Sequence, residues 1–212
     1  MIEYIIAHSP DDRVLVKASK LLSAGKIICF PTDTSWTLAA CSTQKNGIEK
    51  LYKIKKEGHQ KHFSILCNEI SRASELAHIE NHAFKLLKKT IPGNYTFIFE
   101  ARKKIAKLVQ ASKTDKEVGI RFVPSTLVDR LIEVHGEPLI STNIIPSLVG
   151  LDDDSIDPIY SYQLEDCISH LTELIIDPGE FEFVGQSSII DFSKGDVPQV
   201  MREGVGDVSL FI

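Results

Sequence analysis

Two periods organise the hydrophobic and polar positions of this chain. One is the short apolar run of a strand covered on both faces. Lys26 to Phe30 is apolar and partly β-branched, and Pro31, which cannot donate to a sheet ladder, ends it. Trp36 to Cys41, Phe63 to Cys67, Tyr95 to Phe99, Val118 to Val123, Leu139 to Thr142, Leu174 to Ile176, Ser188 to Phe192 and Gln199 to Met201 read as further strands, with Glu3 to Ala7 as a short opening one. The other period is the amphipathic helix. Ser9-Pro-Asp-Asp12 is a helix start, with Ser9 as N-cap and Pro10 at the first helical position, and Val14, Leu15, Ala18, Leu21 and Leu22 make the inward stripe up to Gly25. Asn46 to Lys56 predicts a helix with Ile48, Leu51 and Tyr52 inward and a lysine-rich outer face. Ile70 to Leu76, Asn81 to Thr90 and a segment opened by Pro124-Ser125 and closed by Gly136 predict three more. Strands alternating with helices place the chain in the α/β (α+β) class, as a twisted open sheet flanked by helices. The close strand neighbours around Trp36 make that sheet mixed rather than parallel. No repeat or linker divides residues 1–212, so one domain is expected.

Composition adds little: 43% hydrophobic and 25% charged residues describe an ordinary globular protein. No window approaches the ~20 apolar residues that cross a bilayer, so no membrane partner and a cytoplasmic address are expected. Cys29, Cys41, Cys67 and Cys167 lie far apart without a CxxC pair and read as small buried hydrophobes. Charge changes the picture more. The net −5 hides 21 Lys+Arg against 12 Asp+Glu in residues 1–121, and 3 against 17 in residues 122–212. A basic face can therefore be built from the first part, because phosphate recognition depends on local potential and not on net charge.

The densest candidate chemistry is Thr32-Asp-Thr-Ser35, directly after the first buried strand. It reads as the wall of a polar small-molecule pocket, since ligands of open α/β sheets bind beyond strand ends. It reads equally as a turn whose side chains satisfy their own backbone. His78 and His82 sit four apart, but Ile79 stands where a metallopeptidase motif needs Glu, and no metal site is expected. Gly185-Gln-Ser187 lacks the closing glycine of a nucleophile elbow. Tyr95, Phe97 and Phe99 alternate either as an RNA-stacking platform or as one buried face, and the buried face is the commoner use.

Taken in order, Pro31-Thr-Asp-Thr34, Lys55, Pro92-Gly-Asn-Tyr-Thr96, Gly119-Ile-Arg121, Pro138-Leu-Ile-Ser-Thr142, Ser187-Ser-Ile-Ile-Asp191 and Arg202-Glu-Gly204 resemble the YrdC/YciO family, and most closely its YciO branch. Synthetic members make threonylcarbamoyl-AMP from ATP, L-threonine and bicarbonate for tRNA modification. The resemblance implies a YrdC-like fold with a concave basic surface. ATP would be a substrate, accompanied by Mg²⁺, with no tightly bound cofactor. By the same resemblance, Thr34 and Ser187 touch the threonine and Arg121 takes its carboxylate. Lys55 and Arg202 face the nucleotide phosphates with Ser141 and Asn143 beside them, and Lys55 and Asn143 are the catalytic candidates. The chemistry accounts for these residue types: a carbamate attacking the α-phosphate builds charge on phosphate oxygens, while a carboxylate suits a guanidinium fork.

The chain also departs from the synthetic pattern. Glu57 stands where the Lys-x-Arg motif carries its arginine, and Asn143 and Ile145 stand where a Ser-x-Asn motif is usual. Exchanging attraction for repulsion at ~4 Å and an effective dielectric of ~20 changes phosphate affinity by several kcal/mol. Weak or altered adenylate-forming activity is therefore expected. The alternative is a non-catalytic protein that binds double-stranded RNA or tRNA on the same concavity.

Overall fold

The computed structural model describes residues 1–54, 63–103, 105, 116–152, 155, 158–195 and 197–212. Ten strands form one mixed sheet. They are β1 (Ile2–Tyr4), β2 (Ile28–Pro31), β3 (Trp36–Cys41), β4 (Ser64–Leu66), β5 (Tyr95–Glu100), β6 (Glu117–Arg121), β7 (Leu139–Asn143), β8 (Leu174–Asp177), β9 (Ser188–Asp191) and β10 (Gln199–Arg202). Their order across the sheet is β1-β8-β2-β3-β7-β4-β6-β5-β9-β10. The tight β2–β3 return is antiparallel, as the neighbouring apolar runs predict, while β4 with β6 and β5 with β9 are parallel.

Six α-helices are seen among the described residues: α1 (Asp12–Ser23), α2 (Lys45–Ile54), α3 (Ile70–Leu76), α4 (Asn81–Thr90), α5 (Thr126–His135) and α6 (Ser161–Ile168). The first begins later than expected. Asp11, not Ser9, is the N-cap: its Oδ1 accepts the Arg13 N–H at 2.8 Å, and the same carboxylate pairs with the Arg13 side chain. A carboxylate satisfies an orphan donor and opposes the helix dipole, which a serine two residues earlier cannot do. The opening strand likewise ends at Tyr4 instead of Ala7, because the Ser9 N–H donates to the Ile6 carbonyl and turns the chain. At the other end of α5, Gly136 takes the left-handed φ of 79° that its position as a stop signal requires.

Side-chain alternation along the strands divides the interior into two clusters. Cys29, Leu38, Ile65, Ile140 and Ile175 face α2, α3, α4 and α6 on one side of the sheet. Ile28, Phe30, Ala39, Leu139 and Ile176 face α1 and α5 on the other. Leu15, Leu22 and Leu131 are fully buried there, each contributing about 1.5–3 kcal/mol by leaving water. That second pair of helices covers only the β8-β2-β3-β7-β4 part. Over β6, β5, β9 and β10 no helix lies on this side among the described residues, which leave that part of the sheet open. Tyr95, Phe97 and Phe99 point the other way, 8%, 1% and 0% exposed, so the alternating aromatics are the buried face and not a stacking platform.

Candidate functional site

A cavity of about 610 Å³ occupies the open part of the sheet. Its floor is made of outward-facing residues of adjacent strands, among them Ser64 of β4, Gly119 of β6, Thr96 and Ile98 of β5 and Ile189 of β9. Its polar lining comes from strand ends and from the middle of β7: Thr34, Arg121, Ser141, Asn143, Ser187 and Arg202 all line it. Six of the seven candidate residues are thus brought together from segments up to 168 positions apart. The seventh, Lys55, lies outside the described residues, as does Glu57.

The Thr32-Asp-Thr-Ser35 run divides its labour. Thr32 is fully buried and closes the turn: its N–H and its hydroxyl both donate to the Ser35 carbonyl, at 2.9 and 3.0 Å. Because Thr32 satisfies the local backbone, the next two side chains are available for distant partners. Asp33 turns inward, and its Oδ1 accepts from Arg121 Nη2 at 2.6 Å while its Oδ2 accepts from Asn94 Nδ2 at 2.8 Å. Thr34 lines the cavity, and its Oγ1 accepts from Arg121 Nη1 at 3.1 Å. Thr32 thus behaves as a turn residue that satisfies its own backbone, while Thr34 lines a cavity.

Arg121 is 4% exposed. Burial pushes its pKa down and the Asp33 carboxylate pushes back, so the pair stands as a desolvated ion pair. Arg121 Nε is buried and has no partner among the described residues, one strong donor left over on a side chain that lines the cavity. The second guanidinium is held differently. Arg202 Nε and Nη2 both donate to the Ser187 carbonyl, at 3.0 and 2.7 Å, and Nη2 also reaches Ser187 Oγ at 3.2 Å. Ser187 Oγ is in turn 2.9 Å from Thr96 Oγ1. The segment after Arg202 packs tightly here, because a Cβ at Gly204 would run into the Gln186 and Ser187 backbone. Each rim hydroxyl at Thr34 and Ser187 thus accepts from a guanidinium, which makes this part of the cavity rich in donors and suited to oxyanions; Glu117 of β6 is the carboxylate in the lining.

Ser141 Oγ donates to the Ser64 carbonyl at 3.0 Å, and Ile145 stands on the cavity wall. Sequence reasoning passed over three contributors: Asn94, which holds Asp33; Thr96, which holds Ser187; and Gly119, which keeps the floor low. Asn94 and Thr96 do sit inside the Pro92-Gly-Asn-Tyr-Thr96 motif, and that was the available signal. Among the described residues no group of three or more His, Cys, Asp or Glu is placed to hold a metal ion.

Residues 20–204 match the model of the Sua5/YciO/YrdC domain, a family described as telomere recombination. The chain belongs to the Sua5/YciO/YrdC family. It is 32% identical to the uncharacterized protein YciO of Escherichia coli over 213 aligned positions, covering 99% of this chain and 98% of that one. The crystal structure of E. coli YciO superposes with a TM-score of 0.84 at 31% identity, covering 100% of this chain and 99% of that one. More distant family members carry an activity in their names. The threonylcarbamoyl-AMP synthase of Saccharophagus degradans is 24% identical over 133 residues, 62% of this chain and 69% of that protein. The crystal structure of P. abyssi Sua5 complexed with L-threonine has a TM-score of 0.81 at 21% identity and covers 96% of this chain but 57% of that one, which shows the shared fold. The single mixed α/β sheet is thus a Sua5/YciO/YrdC-type fold. No helix among the described residues is long and apolar enough to cross a membrane.

Proposed function

We propose that this member of the Sua5/YciO/YrdC family binds an amino acid and ATP in the sheet-face cavity and resembles L-threonylcarbamoyladenylate synthase in its chemistry, with weakened turnover. The observation that carries the reading is the convergence of Thr34, Arg121, Ser187 and Arg202 on one donor-rich cavity. L-threonine would sit at the Thr34–Arg121 end, its carboxylate on the unpartnered Arg121 Nε and its side chain near the Thr34 and Ser187 hydroxyls. The nucleotide phosphates would lie towards Arg202, with Ser141, Asn143 and Lys55 beside them. In this reading bicarbonate and the threonine amine give a carbamate and water, and a carbamate oxygen attacks the α-phosphate and displaces pyrophosphate. The protein's share is positioning and stabilisation of charge on the phosphate oxygens. Mg²⁺ would enter on the nucleotide as part of the substrate.

Ile145 on the cavity wall and Glu57 in the sequence are the reasons to expect weak turnover, since neither supplies the polar or cationic group that the synthetic pattern has at its position. The test is pyrophosphate release from ATP with L-threonine and bicarbonate, run beside retention of a labelled RNA duplex across a salt series. Threonine-dependent pyrophosphate supports the reading. Salt-steep RNA retention without pyrophosphate replaces it with non-catalytic RNA binding.

A further inference from the structure

Two guanidinium groups reach the cavity, yet their electrostatic surroundings differ. Arg121 is matched by the buried carboxylate of Asp33, whose side chain is 4% exposed and whose second oxygen is held by Asn94. Asp33 and Asn94 do not themselves line the cavity; they stand behind Arg121. Arg202 is held by the Ser187 carbonyl and hydroxyl, and among the described residues no carboxylate pairs with it. The Arg121 side of the cavity is therefore closer to neutral, while Arg202, near enough for its charge to act on Arg121, carries no paired carboxylate among the described residues; Glu117 is the carboxylate in the lining.

We infer that Asp33 is a specificity-determining residue: by neutralising and locking Arg121 it fits that end of the cavity to a zwitterion's carboxylate and turns phosphate towards Arg202. This rests on the reading that the cavity takes an amino acid and a nucleotide, and it adds the device that keeps the two from exchanging ends. An amino acid at neutral pH carries an ammonium a few ångströms from its carboxylate. An uncompensated guanidinium attracts the carboxylate but repels that ammonium, so the net gain for a zwitterion is small. A phosphate has no such internal cation and gains the whole attraction, all the more in a poorly solvated site. Placing Asp33 against Arg121 cancels this bias. What remains is the directional donor at Nε, with Nη1 on Thr34 and Nη2 on Asp33 holding the plane of the fork. Asn94 serves the same end, because a carboxylate held at both oxygens cannot swing away from the guanidinium.

The experiment is calorimetric titration of the full chain with L-threonine and, separately, with inorganic pyrophosphate, in wild type, Asp33→Asn and Asn94→Ala. Asp33→Asn keeps the shape and removes the charge. Its affinity for L-threonine should change by less than about threefold, while its affinity for pyrophosphate should rise about tenfold. Asn94→Ala keeps the charge and loosens it, and should shift the ratio of the two affinities in the same direction by a smaller factor. A purely structural role for Asp33 would weaken both ligands together. An affinity ratio that stays at the wild-type value in whichever variant folds therefore overturns the inference. Failure of the underlying reading is told apart by the wild-type titration alone: no L-threonine binding there removes the amino-acid site and this inference with it.

Discussion

Asp33 Oδ1 and Arg121 Nη2 lie 2.6 Å apart, on side chains that are 4% and 5% exposed and 88 positions apart in the chain. A pair this deeply buried ties the β2–β3 turn to the end of β6 and makes each residue's stability contribution conditional on the other. Removing one partner of a buried pair typically costs about 3–5 kcal/mol, because the survivor is left charged in a poorly solvated site. Arg121→Met should therefore lower the free energy of unfolding by about that much. The double variant Arg121→Met with Asp33→Asn should recover a large part of the loss. Urea unfolding of the four proteins measures the coupling; losses that simply add would show that the two groups do not depend on each other.

Gly119 separates binding from folding. It has an ordinary strand backbone, and a Cβ placed there meets Thr96 Cγ2 at 3.4 Å and Ser64 Oγ at 3.6 Å, both normal contacts. Gly119→Val should therefore leave the melting temperature unchanged or slightly raised, since valine suits a strand. The same side chain rises from the cavity floor, so ligand affinity should drop at least about tenfold, a loss of ~1.4 kcal/mol. Calorimetry and thermal melting of one sample check both halves, and unaltered affinity would place the ligand elsewhere.

His135 makes stability depend on pH. It is the last residue of α5, with Nδ1 3.1 Å from Ser19 Oγ of α1 and Nε2 buried with no partner among the described residues. Burial lowers its pKa below the ordinary 6.5, with Glu137 opposing. The unfolded chain thus takes up this proton at a higher pH than the folded one. The contribution is present above pH 6.5 and is lost as pH falls through the unfolded value towards the lower folded one. The melting temperature should fall on acidification below that point, and His135→Gln should flatten this part of the curve. An identical pH profile in the variant would assign the acid sensitivity to other groups.

The thiols differ in reactivity for the same physical reason. Burial pushes Cys67 up to about 12 and raises Cys29 further still, so neither forms thiolate near neutral pH. Cys41 is also buried, and Cys167 is half-buried. Iodoacetamide at pH 8 should modify Cys167 first in the native protein and reach Cys29 and Cys67 only after denaturation, which peptide mapping will show. Early labelling of Cys67 would mean that the sheet opens locally around β4.

Most of the architecture was legible in local pattern. Apolar runs ended by Pro31 and Gly136 marked element boundaries, and the close runs around Trp36 announced an antiparallel return in an otherwise crossed-over sheet. These are properties of neighbouring residues, set by backbone sterics and by which side of an element can be buried. Ordered motifs also placed Thr34, Arg121, Ser187 and Arg202 as a set worth examining. What the tertiary structure alone decided is how those groups are spent. No spacing rule announces that Asp33 and Asn94 meet across 61 positions, or that Arg121 comes to the cavity already paired. The N-cap at Asp11 was missed for a related reason, because both Ser9 and Asp11 are good caps and only the turn at Ile6 selects between them. Propensity and periodicity act over a few residues and survive in the chain as pattern. Charge pairing in a desolvated pocket depends on three-dimensional distance, and that exists only once the strands have taken their order in the sheet.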